Sequence, residues 1–117
     1  MKPESIVLFG IKNCDSVKKA RVWLDDKQIE YRFHDYRVDG LTGALLQQFI
    51  DALGMEAVLN LRSTSWRQLS DEQKDGLTPD KARQLLLDNP TLIKRPILAI
   101  GEQWLVGFNP AQYAQTL

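Results

Sequence analysis

Among 117 residues the chain has one cysteine, Cys14, and it stands between Lys12 and Lys18 in the run Ser5-Ile6-Val7-Leu8-Phe9-Gly10-Ile11-Lys12-Asn13-Cys14-Asp15-Ser16-Val17-Lys18-Lys19. The chemistry open to such a residue is nucleophilic attack by sulfur, which requires the thiolate. An ordinary thiol, with a pKa near 8.5, is only about 3% ionised at pH 7. A helix N-terminus favours an anion by about 0.3–1 kcal/mol, less than the ~1.4 kcal/mol that one pKa unit represents. Further cations are therefore needed, and Lys12, Lys18 and any arginine that the fold brings in are the candidates, with Asp15 opposing them. A lone cysteine is more often a small buried hydrophobe. Here the polar neighbours Lys12, Asn13, Asp15 and Ser16 argue against burial in a core.

The surrounding residues say how the cysteine is held. Ser5 to Phe9 is apolar and β-prone, Gly10 to Asn13 reads as a turn, and Val17, Ala20 and Leu24 recur at helical spacing beside Trp23. Cys14 is thus expected at the junction of a strand and a helix N-terminus, where backbone N–H groups without helical partners face outward.

Composition narrows the classes. A chain of this length forms one domain with its own core. Fifteen basic residues balance fifteen acidic ones, so no net field points to nucleic acid or to an anionic membrane. One cysteine excludes an internal disulfide, and the chain shows neither a signal peptide's apolar core at its start nor a stretch long enough to span a bilayer. The expected compartment is the reducing cytoplasm. No metal-ligand cluster, glycine-rich phosphate loop, repeat or low-complexity tract is found.

Beyond the first helix, which should end near Lys27, residues Ile29 to Asp35 alternate as a half-buried strand does. So compact a strand-helix-strand unit is expected to be parallel and right-handed. His34, the only histidine, falls on the polar phase and reads as a solvated or hydrogen-bonded surface group. Leu45, Leu46, Phe49, Ile50 and Leu53 form a helical stripe stopped by Gly54; Met55 to Leu59 could add a helical turn, and Leu61 to Arg67 reads as a polar loop. Ser70-Asp71-Glu72-Gln73 has the form of a capping box, and Thr78-Pro79 starts a helix that runs to Asn89-Pro90. Pro96 to Ile100 and Gln103 to Val106 are strands joined by Gly101-Glu102 as a hairpin, and Asn109-Pro110 opens a last helix, Ala111 to Thr116. The order is β-α-β, a helical block over about residues 40–89, then β-β-α. It matches an α/β, thioredoxin-like fold, as a single domain over residues 1–117 with helices inserted between the second and third strands. In such folds a cis-proline opens the third strand, and Pro96 occupies that place, so a cis Arg95-Pro96 bond is expected.

Cys14 at the head of the first helix, Leu61-Arg62-Ser63 in the helical block, and Leu92-Ile93-Lys94-Arg95-Pro96-Ile97 before the third strand together resemble the arsenate reductase (ArsC)-like family, which includes the YffB and Spx branches. The resemblance covers essentially the whole chain. It implies that Cys14 is the nucleophile and that Arg62 and Arg95 surround it and bind an oxyanion; two cations at about 4 Å and an effective dielectric near 20 could each contribute up to about 4 kcal/mol to a thiolate. Lys12, Asn13 and Pro96 then belong to the glutathione-binding surface, with Lys12 set to meet a glutathione carboxylate and the backbone beside Pro96 to pair with the glutathione chain. Arsenate reductases of the family resemble His-Asn-Pro-x-Cys before the nucleophile, with a serine three residues after it, where this chain has Gly10-Ile11-Lys12-Asn13-Cys14 and Val17. A third oxyanion arginine is missing from Leu105 to Pro110, and Cys14-Asp15-Ser16-Val17 lacks the second thiol of the Spx branch. The YffB branch fits best.

Three functions follow. The first is a single-cysteine, glutathione-dependent thiol reductase acting on a small-molecule or protein disulfide, with glutathione as co-substrate and no bound cofactor. An external thiol is needed because the chain has no resolving cysteine. The second is a glutathione- or glutaredoxin-coupled arsenate reductase. The third is a non-enzymatic adaptor that binds RNA polymerase, as the Spx branch does.

Overall fold

The computed structural model describes residues 5–117; the reading of the first four residues, that no signal-peptide core begins there, lies outside the described residues. Among the described residues, four strands and seven α-helices follow one another in the expected order. Strand β1 (Ile6–Gly10) leads to helix α1 (Asp15–Asp26) and strand β2 (Arg32–Asp35), and strands β3 (Ile97–Ile100) and β4 (Gln103–Val106) precede helix α7 (Pro110–Thr116). Between β2 and β3 lie α2 (Gly43–Leu53), α3 (Met55–Val58), α4 (Thr64–Gln68), α5 (Asp71–Lys74) and α6 (Pro79–Asp88). This is the thioredoxin-like β-α-β, β-β-α arrangement with a helical insertion.

Residues fall into two compact units, 5–40 with Arg95–Leu117, and Leu41–Lys94. In the first, the sheet has the order β2-β1-β3-β4. Strands β1 and β2 are parallel, with Gly10 beside Asp35, whereas β1 and β3 are antiparallel, with Phe9 beside Ile97. One face of this sheet, through Leu8, Leu98 and Ile100, packs on Val17, Ala20 and Leu24 of α1 and Tyr113 of α7. The apolar stripe that marked α1 in the sequence is the stripe that it buries. The Gly101-Glu102 hairpin forms as expected: Ile100 pairs with Gln103, and Gly101 takes φ 58°, the conformation that a two-residue turn with glycine first requires.

Strand β2 is shorter than the alternation from Ile29 predicts. The end of α1 explains this: Gln28 turns left-handed at φ 57°, and Gln28 and Ile29 donate to the carbonyls of Asp25 and Leu24 at 3.0 Å each. Those paired bonds terminate the helix and spend the Ile29 amide there, so the ladder starts only at Arg32.

In the second unit the buried residues Leu46, Phe49, Val58, Ala82, Leu85, Leu86, Leu92 and Ile93 come from α2, α3, α6 and the segment after it. The Arg83 guanidinium ties α6 to α2 through Gly43 O at 3.1 Å and Gln47 Oε1 at 3.0 Å. Ser70 and Gln73 form both arms of the expected capping box. The polar loop expected over Leu61 to Arg67 is partly helical instead, because Ser63 caps α4 by accepting from the Trp66 amide at 3.1 Å. Among the described residues no helix is long and apolar enough to cross a membrane.

Candidate functional site

The first unit gathers five of the six residues named from the sequence at one end of its sheet. Strand β1 ends at Gly10, and Ile11-Lys12-Asn13-Cys14 then folds as a turn closed by the Cys14 N–H on Ile11 O at 3.3 Å. Cys14 is the N-cap of α1: its backbone is extended, at φ −111° and ψ 128°, and its carbonyl accepts from the Lys18 amide at 2.9 Å. The sulfur makes no capping hydrogen bond to the helix, and the residue is half-buried. A half-buried cysteine at a helix N-terminus, here packed against the core cluster under α1, is a placement from which a thiol can act as a nucleophile. Lys12 and Asn13, on the turn, are exposed.

The Arg95-Pro96 bond is cis, as the sequence led us to expect. Antiparallel pairing of Phe9 with Ile97 puts the entry to β3 at the end of the sheet where β1 leaves for the cysteine turn. Pro96 is buried and its carbonyl accepts from the Gly107 amide at 2.8 Å, while Arg95 is half-buried. Arg95 exerts its charge on Tyr36, whose phenol is held far above the ordinary tyrosine range by burial, with the Arg95 cation pulling the other way. Arg62 belongs to the second unit. It is exposed in the turn before α4, where its amide donates to Asn60 Oδ1 at 3.1 Å.

Two residues at this end of the sheet went unnoticed in the sequence. Asp35, at the end of β2, is buried, and its carboxylate accepts from the amides of Lys12 at 3.2 Å and Arg37 at 2.8 Å. The next residue, Tyr36, donates its amide to Gly10 O at 3.0 Å. Both ends of the short segment between β1 and the cysteine turn are thus bonded to the turn after β2. A signal for Asp35 was present: Ile29, Tyr31, Phe33 and Asp35 share the apolar phase of the alternation, and a carboxylate on that phase must find buried donors. His34, on the other phase, is hydrogen-bonded as expected, its Nε2 donating to Gly40 O at 2.8 Å. Among the described residues no group of three or more histidines, cysteines and acids could hold a metal ion.

The geometry has clear counterparts. An uncharacterised protein of Haemophilus influenzae is 48% identical over 108 residues, covering 92% of this chain and 95% of the relative. A solved structure of a YffB protein superposes with a TM-score of 0.91 at 44% identity, covering 97% of this chain and 99% of that one. That of an arsenate reductase (ArsC) related protein from Brucella melitensis gives 0.80 at 40% identity, covering 98% and 96%. The model of the ArsC family matches residues 9–116, from the last apolar residue of β1 to the end of α7. The cysteine turn and the Arg95-Pro96 entry to β3 both fall inside that match, and the chain belongs to the ArsC family.

Proposed function

We propose that the protein is a thiol oxidoreductase that works through Cys14 alone and draws its reducing equivalents from glutathione. The observation that carries this reading is the placement of the chain's sole sulfur nucleophile: half-buried at the N-cap of α1, not engaged in capping, at the sheet end where Arg95 and cis-Pro96 enter β3. Membership of the ArsC family supports sulfur chemistry at this position.

The Cys14 thiolate attacks one sulfur of a disulfide, the S–S bond breaks, and the departing thiolate takes a proton from water. A glutathione thiolate then attacks the Cys14 sulfur of the mixed disulfide and expels the second substrate thiolate, which also takes a proton. A second glutathione thiolate attacks the glutathione now bound to Cys14 and releases Cys14 as the thiolate, so the two electrons that reduce the substrate come from two glutathione thiols, which leave as one disulfide. The absence of a second cysteine obliges the second step to use an external thiol. Lys12 and Asn13 on the turn, and the backbone at Pro96, are the groups that receive the glutathione chain, and Arg95 receives its carboxylate or another anion. Arg62 is assigned to anion binding by the family resemblance.

Oxidised glutathione should form one adduct per chain, on Cys14, reversed by reduced glutathione, with turnover of bis(2-hydroxyethyl) disulfide; Cys14→Ser should abolish both. Mass spectrometry that finds no adduct on the folded wild type would overturn the reading. Arsenate-dependent oxidation of glutathione that exceeds disulfide turnover would replace it with arsenate reduction.

A further inference from the structure

Asp35 is the only charged side chain that is buried among the described residues, with 6% of its surface exposed. An acid survives there only when donors replace its hydration, and both oxygens have them. Oδ1 takes the Arg37 amide at 2.8 Å and Oδ2 the Lys12 amide at 3.2 Å. The carboxylate is itself held by its own turn. The Asp35 amide donates to Asp39 Oδ2 at 3.0 Å, and Asp39 and Val38 return their amides to Asp35 O at 2.7 and 3.1 Å. Ile11 closes onto Cys14 within the turn, and Gly10 is bonded through its carbonyl to Tyr36.

This arrangement does more than bury an acid. Lys12 lies two residues before the sulfur, so the bond at its amide fixes the plane of the peptide that leads into the cysteine turn. We propose that Asp35 is a positioning residue: its carboxylate holds the Lys12 amide and thereby presents the turn Ile11–Cys14 in the conformation that receives a docked disulfide. The inference rests on the proposed thiol chemistry for its catalytic consequence and on the hydrogen-bond geometry for its structural one, and the two are measured separately.

Amide hydrogen exchange gives the structural readout. A charge-assisted bond lost at a partly buried amide corresponds to about tenfold faster exchange. In Asp35→Ala the Lys12 and Arg37 amides should therefore exchange about tenfold faster relative to the Leu98 amide of β3, and Asp35→Asn, which keeps one acceptor, should fall between. Unchanged Lys12 exchange in both folded variants overturns the proposal whatever Cys14 does. Kinetics gives the second readout. Alkylation by iodoacetamide needs only the sulfur, whereas oxidised glutathione must dock on the turn, so the glutathione rate should fall about tenfold while the alkylation rate changes by about twofold or less. Equal loss in both rates, or none in either, reduces Asp35 to a structural acid and overturns the positioning role. Should Asp35→Ala not fold, Asp39→Ala, which frees the Asp35 amide, should move the same two readouts in the same direction, and failure to move either overturns the proposal. If the wild type makes no glutathione adduct, the proposed function falls by itself. The rate comparison is then made with 5,5′-dithiobis(2-nitrobenzoate), and the same split supports the positioning role.

Discussion

Gly10→Ala should displace Cys14 without touching it. A Cβ built on Gly10 would lie 2.7 Å from Val17 Cγ2 and 3.5 Å from Cγ1. Apolar carbons rest about 3.5–4.0 Å apart, so the new methyl overlaps Val17 by about 1 Å. Val17 has no easy retreat, because it is wholly buried in the core cluster and a β-branched side chain on a helix has one strongly preferred rotamer. The first turn of α1 must then move away from β1, and its N-cap, Cys14, moves with it. Overpacking of this kind costs about 1–3 kcal/mol, which at a urea m-value of about 1–3 kcal/mol per molar lowers the unfolding midpoint by about 1 M. Val17→Ala alone should cost about 2 kcal/mol in lost burial. In the double variant the added methyl enters the space that the valine leaves, so the combined loss should fall short of the sum by about 1 kcal/mol or more. The rate of glutathione adduct formation should drop in Gly10→Ala and recover in the double variant. A Gly10→Ala unfolding free energy within about 0.5 kcal/mol of the wild type, or strict additivity in the double variant, would refute the argument that this glycine sets the approach of α1 to the sheet.

Tyr113 is fully buried between Trp23 and Phe108, edge-on to each, and its hydroxyl has no hydrogen-bond partner among the described residues. Tyr113→Phe should keep the packing and remove an unsatisfied group, stabilising the fold by about 1 kcal/mol in urea unfolding; a loss of that size would reveal a hydroxyl partner instead. Burial holds this phenol, like that of Tyr36, far above its ordinary range. Above about pH 10 the unfolded chain releases protons that the folded chain keeps, so stability should fall as pH rises there, and less steeply in Tyr113→Phe. At the site, Arg95→Lys keeps the charge but loses the planar two-pronged donor. It should raise the KM for glutathione about tenfold with a smaller change in kcat, and an unchanged KM would remove Arg95 from the binding surface.

Much of the fold was legible because its signals are local. The stripe Val17, Ala20, Leu24 on α1, the glycine that opens the β3–β4 hairpin, the Ser70–Gln73 capping box and the Pro79 and Pro110 helix starts each carry their cause within a few residues, and each forms as read. The misreadings occur where one local signal overrode another. Ile29 alternates like a strand residue, yet its amide completes the termination of α1, with Gln28 taking the left-handed conformation that glycine usually supplies. Leu61 to Arg67 is polar enough for a loop, yet Ser63 caps a short helix inside it.

The site divides along the same line. Cys14 and the cis bond at Pro96 were reachable from the sequence, the first from a strand–turn–helix pattern and the second from proline chemistry joined to a family resemblance. Asp35 was not reached, because its role exists only in the pairing of β1 with β2, twenty-three residues from its Lys12 partner. What sequence offered was a conflict, an acid on the apolar phase of an otherwise regular strand, and such conflicts between local pattern and burial gather where function constrains the chain. Gly10 is the complementary case. It sits in β1 beside Asp35 in the parallel register, its carbonyl accepts from Tyr36, and its missing side chain admits Val17. One residue therefore joins the sheet, the turn after β2 and the helix that carries the sulfur. The acid and the glycine act on the cysteine turn in different ways, one by hydrogen bonds and the other by close approach. Loosening either should therefore be felt first in docked disulfide exchange and only later in simple thiol alkylation.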